Sequence, residues 1–241
     1  MPQLRLDKII SDAGLASRSE ARRFIASGRA CVNGLAVTRP DARFDPETAD
    51  IRFDGVPVCT SKFRYFMMNK PGGVVSATED VAERTVLSLL PETLRRLGLF
   101  PVGRLDKDTT GLLLLTNDGA LAHDATSPKQ HVDKVYAFTA DGMLGEEDVR
   151  ALAAGITLRD GTRCLPARLA LDSDAPFQGT LALSEGKYHQ VKRMLAARGV
   201  HVQALKRLSV GPLSLDPALC PGAYRELTAE ETALLLRIKQ H

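Results

Sequence analysis

Residues 103–119 read GRLDKDTTGLLLLTNDG, and this stretch carries most of the information about the fold. A polar loop with Asp106 and Asp108 leads into an apolar run, which predicts a strand over 112–116 that is buried on both faces. A carboxylate on a loop that a core strand anchors is well placed for catalysis. The two acids could form a general acid–base pair, a metal pair, or a nucleophile with a bystander, and their spacing also fits a solvated polar turn.

Around this stretch, the hydrophobic patterns predict an α+β fold with a mixed, mainly antiparallel sheet flanked by helices. Helices and strands do not alternate regularly, which argues against a doubly wound fold. A loop is expected over 69–73. Strands are predicted at 65–68, 74–76, 112–116, 135–140, 156–158, 165–171, 180–183 and 200–205, and helices near 85–97, at 146–154, at 189–197 and after a capping box at Thr228.

The first 60 residues have the pattern of a small α/β module. Apolar residues at helical spacing end at Gly14, and a capping box over 17–20 begins a second helix. The dipeptides Asn33-Gly34 and Asp54-Gly55 are typical of hairpin turns. Because a polar stretch follows, we expect two domains, which cover residues 1–60 and 63–241.

Composition restricts the class of protein. With 44% hydrophobic and 25% charged residues among 241, the chain resembles globular proteins and not disordered ones. It has no apolar run long enough for a membrane helix, its N-terminus lacks the apolar core of a signal peptide, and its four cysteines lack zinc or redox spacing. We therefore expect a cytoplasmic protein with reduced thiols and no membrane contact.

Basic side chains concentrate in two zones of a chain whose net charge is only +3. Residues 1–30 carry six lysines and arginines against three acids, and residues 187–207 carry six without any acid. Such zones fit a polyanionic partner such as a nucleic acid, although charge runs are also common on solvated helix faces.

Four motifs, in this order along the chain, resemble those of the RsuA-type pseudouridine synthases. They are NKPG at 69–72, GRLDKDTTG at 103–111, KVY at 134–136 and GKYHQVKRM at 186–194. The first 60 residues resemble an S4 RNA-binding domain, through RLDK at 5–8, SRSEA at 17–21 and VNG at 32–34. The wording YHQVKRM, together with RYFM at 64–67, is more similar to the small-subunit branch of the family than to its large-subunit branches.

This resemblance implies a pseudouridine synthase fold and the isomerisation of one uridine in 16S rRNA, without a metal or another cofactor. The family's best-studied target is uridine 516 in the bacterial rRNA numbering. The partner would be 16S rRNA or a small-subunit assembly intermediate, and we expect a monomer.

Asp106 matches the catalytic aspartate, which attacks a flipped-out nucleotide at its sugar or its base. Tyr136 would pack on the target base and help to remove its carbon-5 proton. Lys192 matches the basic partner of Asp106, and Arg193 is the alternative.

The resemblance also implies a set of RNA contacts. Arg104 would fill the space that the flipped nucleotide leaves, or bind its phosphate. The S4 arginines and lysine would meet RNA phosphates and supply affinity more than sequence reading. The predicted RNA-contacting residues are Arg104, Asn69, Lys70, His189, Gln190, Arg193, Arg5, Lys8, Arg18, Arg22 and Arg23.

Two other functions stay open at this point. A protein that keeps this fold but only binds RNA would share most of these features, although the intact Asp106 and Tyr136 argue against it. The pattern Asp-x-Asp-x-Thr at 106–110 also fits phosphatases of the haloacid dehalogenase type. Those enzymes need an apolar strand directly before the first aspartate, whereas Gly103 and Arg104 precede Asp106 here.

Overall fold

The computed structural model describes residues 3–127 and 130–240, which form two compact units. The first unit extends to Arg64 and also includes Leu90–Leu99, and the second contains Tyr65–Leu89 and the chain from Phe100 onward. Within the described residues, no helix is both long enough and apolar enough to cross a membrane.

The first unit is the small α/β module that the sequence predicts. Ser17 and Glu20 form the expected capping box, and the side chains of Leu6, Ile10 and Ile25 are completely buried in its core. A sheet in the order β3-β2-β5-β6 is antiparallel throughout, and β1 pairs with β4. The elements are β1 (Leu4–Arg5), α1 (Leu6–Asp12), α2 (Arg18–Ala26), β2 (Ala30–Val32), β3 (Leu35–Ala36), β4 (Arg43–Phe44), β5 (Ile51–Phe53), β6 (Val56–Pro57) and α3 (Glu92–Arg95).

The second unit is built on one sheet in the order β11-β12-β10-β13-β9-β7-β15, with β8 paired to β9 and β14 to β13. Among the described residues, every pairing in this sheet is antiparallel except that of β13 with β9, which confirms the mixed, mainly antiparallel prediction. The strands are β7 (Tyr65–Lys70), β8 (Phe100–Pro101), β9 (Thr110–Thr116), β10 (Lys134–Ala140), β11 (Arg168–Leu171), β12 (Gln178–Leu183), β13 (Val202–Val210), β14 (Leu213–Ser214) and β15 (Tyr224–Glu226).

Short helices surround this sheet. The capping box predicted at Thr228 is present, with Glu231 as its second member. Helix α4 (Gly119–Thr126) was not predicted from the sequence, because only Leu121 and Ala125 of its eight residues are buried and the apolar pattern is correspondingly weak. The helices are the 3₁₀ turn Val86–Leu89, α4 (Gly119–Thr126), α5 (Glu146–Ala153), α6 (Gln190–Ala196), α7 (Ala229–Leu236) and the 3₁₀ turn Arg237–Gln240.

Strand β9 is the buried central strand that the apolar run predicts. The parallel pair of β9 with β13 is the seam between two antiparallel halves of the sheet. Gly111 lies at this seam with a φ of +98°, and a Cβ atom there would come within 2.2 Å of the Arg207 carbonyl oxygen. Glycine is therefore required at this position, because any side chain would push the two strands apart.

Three local predictions are wrong. Strand β7 continues through Asn69 and Lys70, which were expected in a loop, because both residues pair with β9. The strands expected at 74–76 and 156–158 are reduced to isolated bridges, since neither segment has a neighbouring strand to extend the pairing. All three errors concern pairing with distant parts of the chain, which local patterns do not contain.

Candidate active site

Asp106 lies in the loop between β8 and β9, and the residues on both sides of it are fixed by hydrogen bonds. The Ser76 hydroxyl donates to the Leu105 carbonyl oxygen at 2.9 Å and accepts from the Leu105 amide at 3.0 Å. The Gly73 amide donates to the Lys107 carbonyl oxygen at 2.8 Å. The backbone that carries the Asp106 carboxylate is therefore held in place before any substrate binds.

Lys70 supports the same loop through hydrogen bonds to its backbone. Its side chain has no exposed surface, and its ammonium group donates to the carbonyl oxygens of Thr109 at 2.8 Å, Pro71 at 3.0 Å and Lys107 at 3.2 Å. Burial lowers the pKa of Lys70 to about 8, although the charges of Asp108 and Asp106 act in the opposite direction. In place of the RNA contact predicted from the sequence, we propose a positioning role for Lys70, because its ammonium group has no surface to offer a phosphate.

Asn69 and Gln190, also predicted to contact RNA, are buried and hydrogen-bonded within the protein. The Asn69 side-chain amide donates to the Leu219 carbonyl oxygen at 2.7 Å. Gln190 donates to the buried Glu185 carboxylate and accepts from the Lys187 amide at 2.8 Å. We propose that both side chains support the loops of the site and do not touch the nucleic acid.

Of the two residues predicted as the basic partner of Asp106, Lys192 is the one that faces it. Its ammonium nitrogen lies 3.4 Å from Asp106 Oδ2 and forms closer bonds, of 2.6 and 2.8 Å, to the carboxylate of Asp108. Arg193, the alternative, points elsewhere and pairs with Asp160. The hydrogen bond from Lys192 lowers the pKa of Asp108. Lys192 thus interacts with two carboxylates, and its contact with Asp106 is longer than its contacts with Asp108.

Asp106 has a second neighbour and an open side. The imidazole Nε2 of His189 lies 3.5 Å from Asp106 Oδ1. The Asp106 side chain is 27% exposed, so a substrate atom can reach it. Because neither Lys192 nor His189 makes a short hydrogen bond to Asp106, its carboxylate keeps lone pairs available for attack on an electrophile.

A pocket extends from Asp106 across the seam of the sheet. Tyr136 on β10 and Leu205 on β13 form its apolar wall, and Thr109 lies beside Asp106. The Thr109 hydroxyl is buried and has no hydrogen-bond partner among the described residues. Arg104 is exposed at the same pocket and makes no ion pair within the part of the chain that the structure describes.

Comparison with known proteins gives this pocket its context. Residues 64–197, more than half of the chain, match the family model described as RNA pseudouridylate synthase. The chain belongs to the pseudouridine synthase family. Enzymes of this family isomerise uridine in RNA, and the phosphatase interpretation of the Asp-x-Asp-x-Thr pattern is therefore wrong. Residues 4–49 match the S4 domain model, as the sequence motifs of the first 60 residues imply.

Three similar proteins support this membership over almost the whole length. The chain is 45% identical over 234 residues to the uncharacterised RNA pseudouridine synthase YtzG of Bacillus subtilis, covering 96% of this chain and 98% of that protein. It is 42% identical over 231 residues to ribosomal small subunit pseudouridine synthase A of Escherichia coli strain K12, covering 95% and 99%. A crystal structure of a pseudouridylate synthase matches with a TM-score of 0.67 and 39% identity, covering 96% and 99%.

In this pseudouridine synthase, the S4 arginines surround a carboxylate that sequence reasoning missed. Asp7 is fully buried, accepts two hydrogen bonds from Arg5 at 2.9 and 3.1 Å and one from Arg22 at 2.9 Å, and lies 3.7 Å from Arg18. Burial raises the pKa of Asp7, but the hydrogen bonds from Arg5 and Arg22 lower it more, and the net pKa is below the usual value. The sequence shows Asp7 only as an acid at the start of a helix, because Arg22 is fifteen residues away.

The two other basic residues predicted in this unit lie outside the Asp7 cluster. Lys8 pairs with Asp12 one helical turn away. The Arg23 guanidinium lies 6.0 Å from the centre of the Phe24 ring. The side chains of Arg18 and Arg22 are about half exposed, so both remain accessible to phosphate while the Nε atoms of both lie on the side of Asp7.

Proposed function

We propose that this pseudouridine synthase isomerises one uridine of small-subunit rRNA, with Asp106 as the nucleophile. The observation that carries the proposal is the position of Asp106, which is fixed by backbone hydrogen bonds at a pocket shared with Tyr136 and Thr109, with Lys192 3.4 Å away. The similarity to ribosomal small subunit pseudouridine synthase A supports the choice of substrate. By analogy with the family, the expected target is uridine 516 of 16S rRNA.

The chemistry needs an ionised carboxylate and a pocket that retains the free base. The Asp106 carboxylate adds to the ribose or to the base, the bond between the base nitrogen N1 and the sugar breaks, and the uracil turns within the pocket. Carbon 5 then bonds to the sugar, and the bond to Asp106 breaks and restores the free carboxylate. Carbon 5 loses its proton and N1 gains one, so that the reaction is balanced without an oxidant or a second substrate. Lys192 stabilises the carboxylate as an anion, and Tyr136 holds the detached uracil against the sheet.

Access to a paired or stacked uridine requires the nucleotide to leave its helix. Extrusion of a base costs a few kcal/mol, which contacts with the displaced nucleotide and its neighbours must offset. Arg104 is exposed beside Asp106 and makes no ion pair with the described residues, so it can bind the phosphate or occupy the vacated stack.

We assign the two activities to the two expected domains. Residues 1–60 would bind RNA through the arginines around Asp7, and residues 63–241 would carry out the isomerisation. Either free 16S rRNA or a small-subunit assembly intermediate would serve as substrate, and the reaction would take place in the cytoplasm.

Release of tritium from 16S rRNA labelled at uridine carbon 5 tests the proposal. The wild type should release about one equivalent per rRNA, and mapping should place the change at uridine 516. Asp106→Asn keeps the size of the side chain and should bind the rRNA but release no tritium. Asp108→Asn is the matched control, because it removes the acid that competes for Lys192 and leaves the nucleophile in place.

Two results would contradict the proposal. Full release by Asp106→Asn would show that another residue is the nucleophile. No release by the wild type, with naked rRNA and with assembly intermediates, would show that the substrate is a different RNA or that the chain only binds.

A further inference from the structure

Tyr188 is unusually exposed for an aromatic residue beside an active site. It precedes helix α6, and 76% of its surface is accessible. Its ring stacks on the imidazole of His189 with 3.9 Å between the ring centres and 17° between the planes. One face of the tyrosine ring is thus covered, and the other is free to receive a flat partner.

The turn that carries this pair is held in a strained conformation. His189 has φ 49° and ψ 34°, a left-handed backbone that residues other than glycine rarely adopt and that is often found at functional sites. The Arg193 guanidinium donates to the Tyr188 carbonyl oxygen at 3.3 Å, and the Gln190 side chain accepts from the Lys187 amide. The backbone that carries the Tyr188 ring is therefore held in place before RNA binds, and the ring itself is held by its stacking on His189.

The pair lies next to the proposed nucleophile. His189 Nε2 is 3.5 Å from Asp106 Oδ1, and the Tyr188 ring stacks on that same imidazole. Tyr136 is different, since it is buried in the pocket and is the residue placed to hold the target uracil. Tyr188 is thus outside the pocket but within reach of whatever adjoins the nucleotide at Asp106.

We propose that the free face of Tyr188 stacks on the unpaired base adjacent to the target uridine, so that Tyr188 and His189 form a subsite for one nucleobase. The inference rests on the proposed function, because the adjacent base is defined by the uridine at Asp106. When a uridine flips out, its neighbour loses a stacking partner, and an exposed aromatic ring can replace it. Stacking of this kind tolerates any base, so the subsite adds affinity and register without reading sequence.

Steady-state kinetics of tritium release provide the first test. Tyr188→Ala should raise KM for 16S rRNA about tenfold and leave kcat within a factor of two, since the contact is made before and during the reaction alike. Tyr188→Phe keeps the ring and should behave like the wild type. Because Tyr188 is exposed, neither substitution should affect folding.

Fluorescence provides the second test, since the chain contains no tryptophan. Tyr188→Trp introduces a single reporter whose emission should be quenched when 16S rRNA binds and a base stacks on it. Met143→Trp is the control, because Met143 is 72% exposed in the loop after β10 and does not line the pocket. Each of the two substitutions is made separately in the Asp106→Asn protein, so that binding is measured without turnover.

The outcomes separate this inference from the proposed function. If the wild type releases no tritium, the proposed function fails. If the wild type reacts and Tyr188→Ala keeps the wild-type KM, the subsite is refuted while the function stands. A fall in kcat at unchanged KM would also overturn it, because Tyr188 would then act only by supporting His189. Equal quenching of the two tryptophans would refute stacking at Tyr188.

Discussion

Replacement of Asp7 by Asn tests whether one buried carboxylate organises the arginines of the S4 unit. Asn keeps the shape of the side chain but removes the negative charge that faces Arg5, Arg18 and Arg22. A hydrogen bond to a charged group contributes about 1.5–3 kcal/mol, and three such bonds reach Asp7. Because the arginines are a third to a half exposed and regain water, we expect a net loss of about 2 kcal/mol in the free energy of unfolding.

Hydrogen exchange of the amides in α1 and α2, measured by mass spectrometry at pH 7, gives a local readout of this loss. A change of about 2 kcal/mol speeds exchange about 30-fold, since 1.4 kcal/mol corresponds to a factor of ten. The folded pKa of Asp7 is below its usual value, so its stabilising effect is complete at neutral pH and disappears as the pH falls through the folded pKa. The difference between wild type and Asp7→Asn should therefore shrink in acid.

Asp54→Asn is the matched control in the same unit. Asp54 pairs with Arg29 at the surface, where water screens the ion pair and its contribution to stability is small, and Asn tolerates the left-handed backbone at this position. The reasoning is refuted if Asp7→Asn changes exchange by less than about threefold, or if Asp54→Asn has the same effect.

Three further predictions concern the catalytic unit. Lys192→Ala should lower kcat at least 100-fold by removing the cation beside the nucleophile, whereas Arg193→Ala should have a much smaller effect. Equal effects of the two substitutions in the tritium assay would contradict the assignment of Lys192 as the basic partner of Asp106. The folded pKa of Lys70 is about 8 against a usual 10.5, so the unfolded state binds its proton more tightly and stability should rise by up to about 3 kcal/mol from pH 8 to 10.5. Urea unfolding at several pH values should show a smaller rise in Lys70→Met than in the wild type, and the remaining rise is that of Lys134, whose pKa burial also lowers to about 8. Gly111→Ala should cost about 3 kcal/mol or more in the same assay because of the approach of β13, while Gly119→Ala, with open space around it, should be nearly neutral.

Local patterns were sufficient for some elements and insufficient for others. The capping boxes at Ser17 and Thr228 and the apolar strand β9 lie where the sequence predicts them, because the residues that determine them are neighbours in the chain. Helix α4 was missed, since its helical pattern rests on two buried side chains. The end of strand β7 at Lys70 was also missed, because it depends on pairing with a strand some forty residues later.

The site shows the same division. The motifs identified Asp106, Tyr136 and Lys192 as members, and the structure brings all three to one region. Sequence alone could not choose between Lys192 and Arg193, because adjacent residues on a helix point about 100° apart and only the packing of α6 shows which one faces the loop. Nor could it reveal the burial of Lys70, since lysine is rarely found without exposed surface.

The seam between β9 and β13 has a consequence for the order in which the enzyme is made. Thr110 pairs with Lys206 across it, so almost a hundred residues must be synthesised before this part of the sheet can close. Contacts between such distant residues form slowly, because the entropy of closing a long loop is lost before the contact stabilises the chain. During translation, the loop with Asp106 leaves the ribosome before β13, which carries the pocket residue Leu205, has been synthesised. We therefore expect catalytic competence to appear only near the end of translation, when a nascent chain ending before residue 202 would still be inactive.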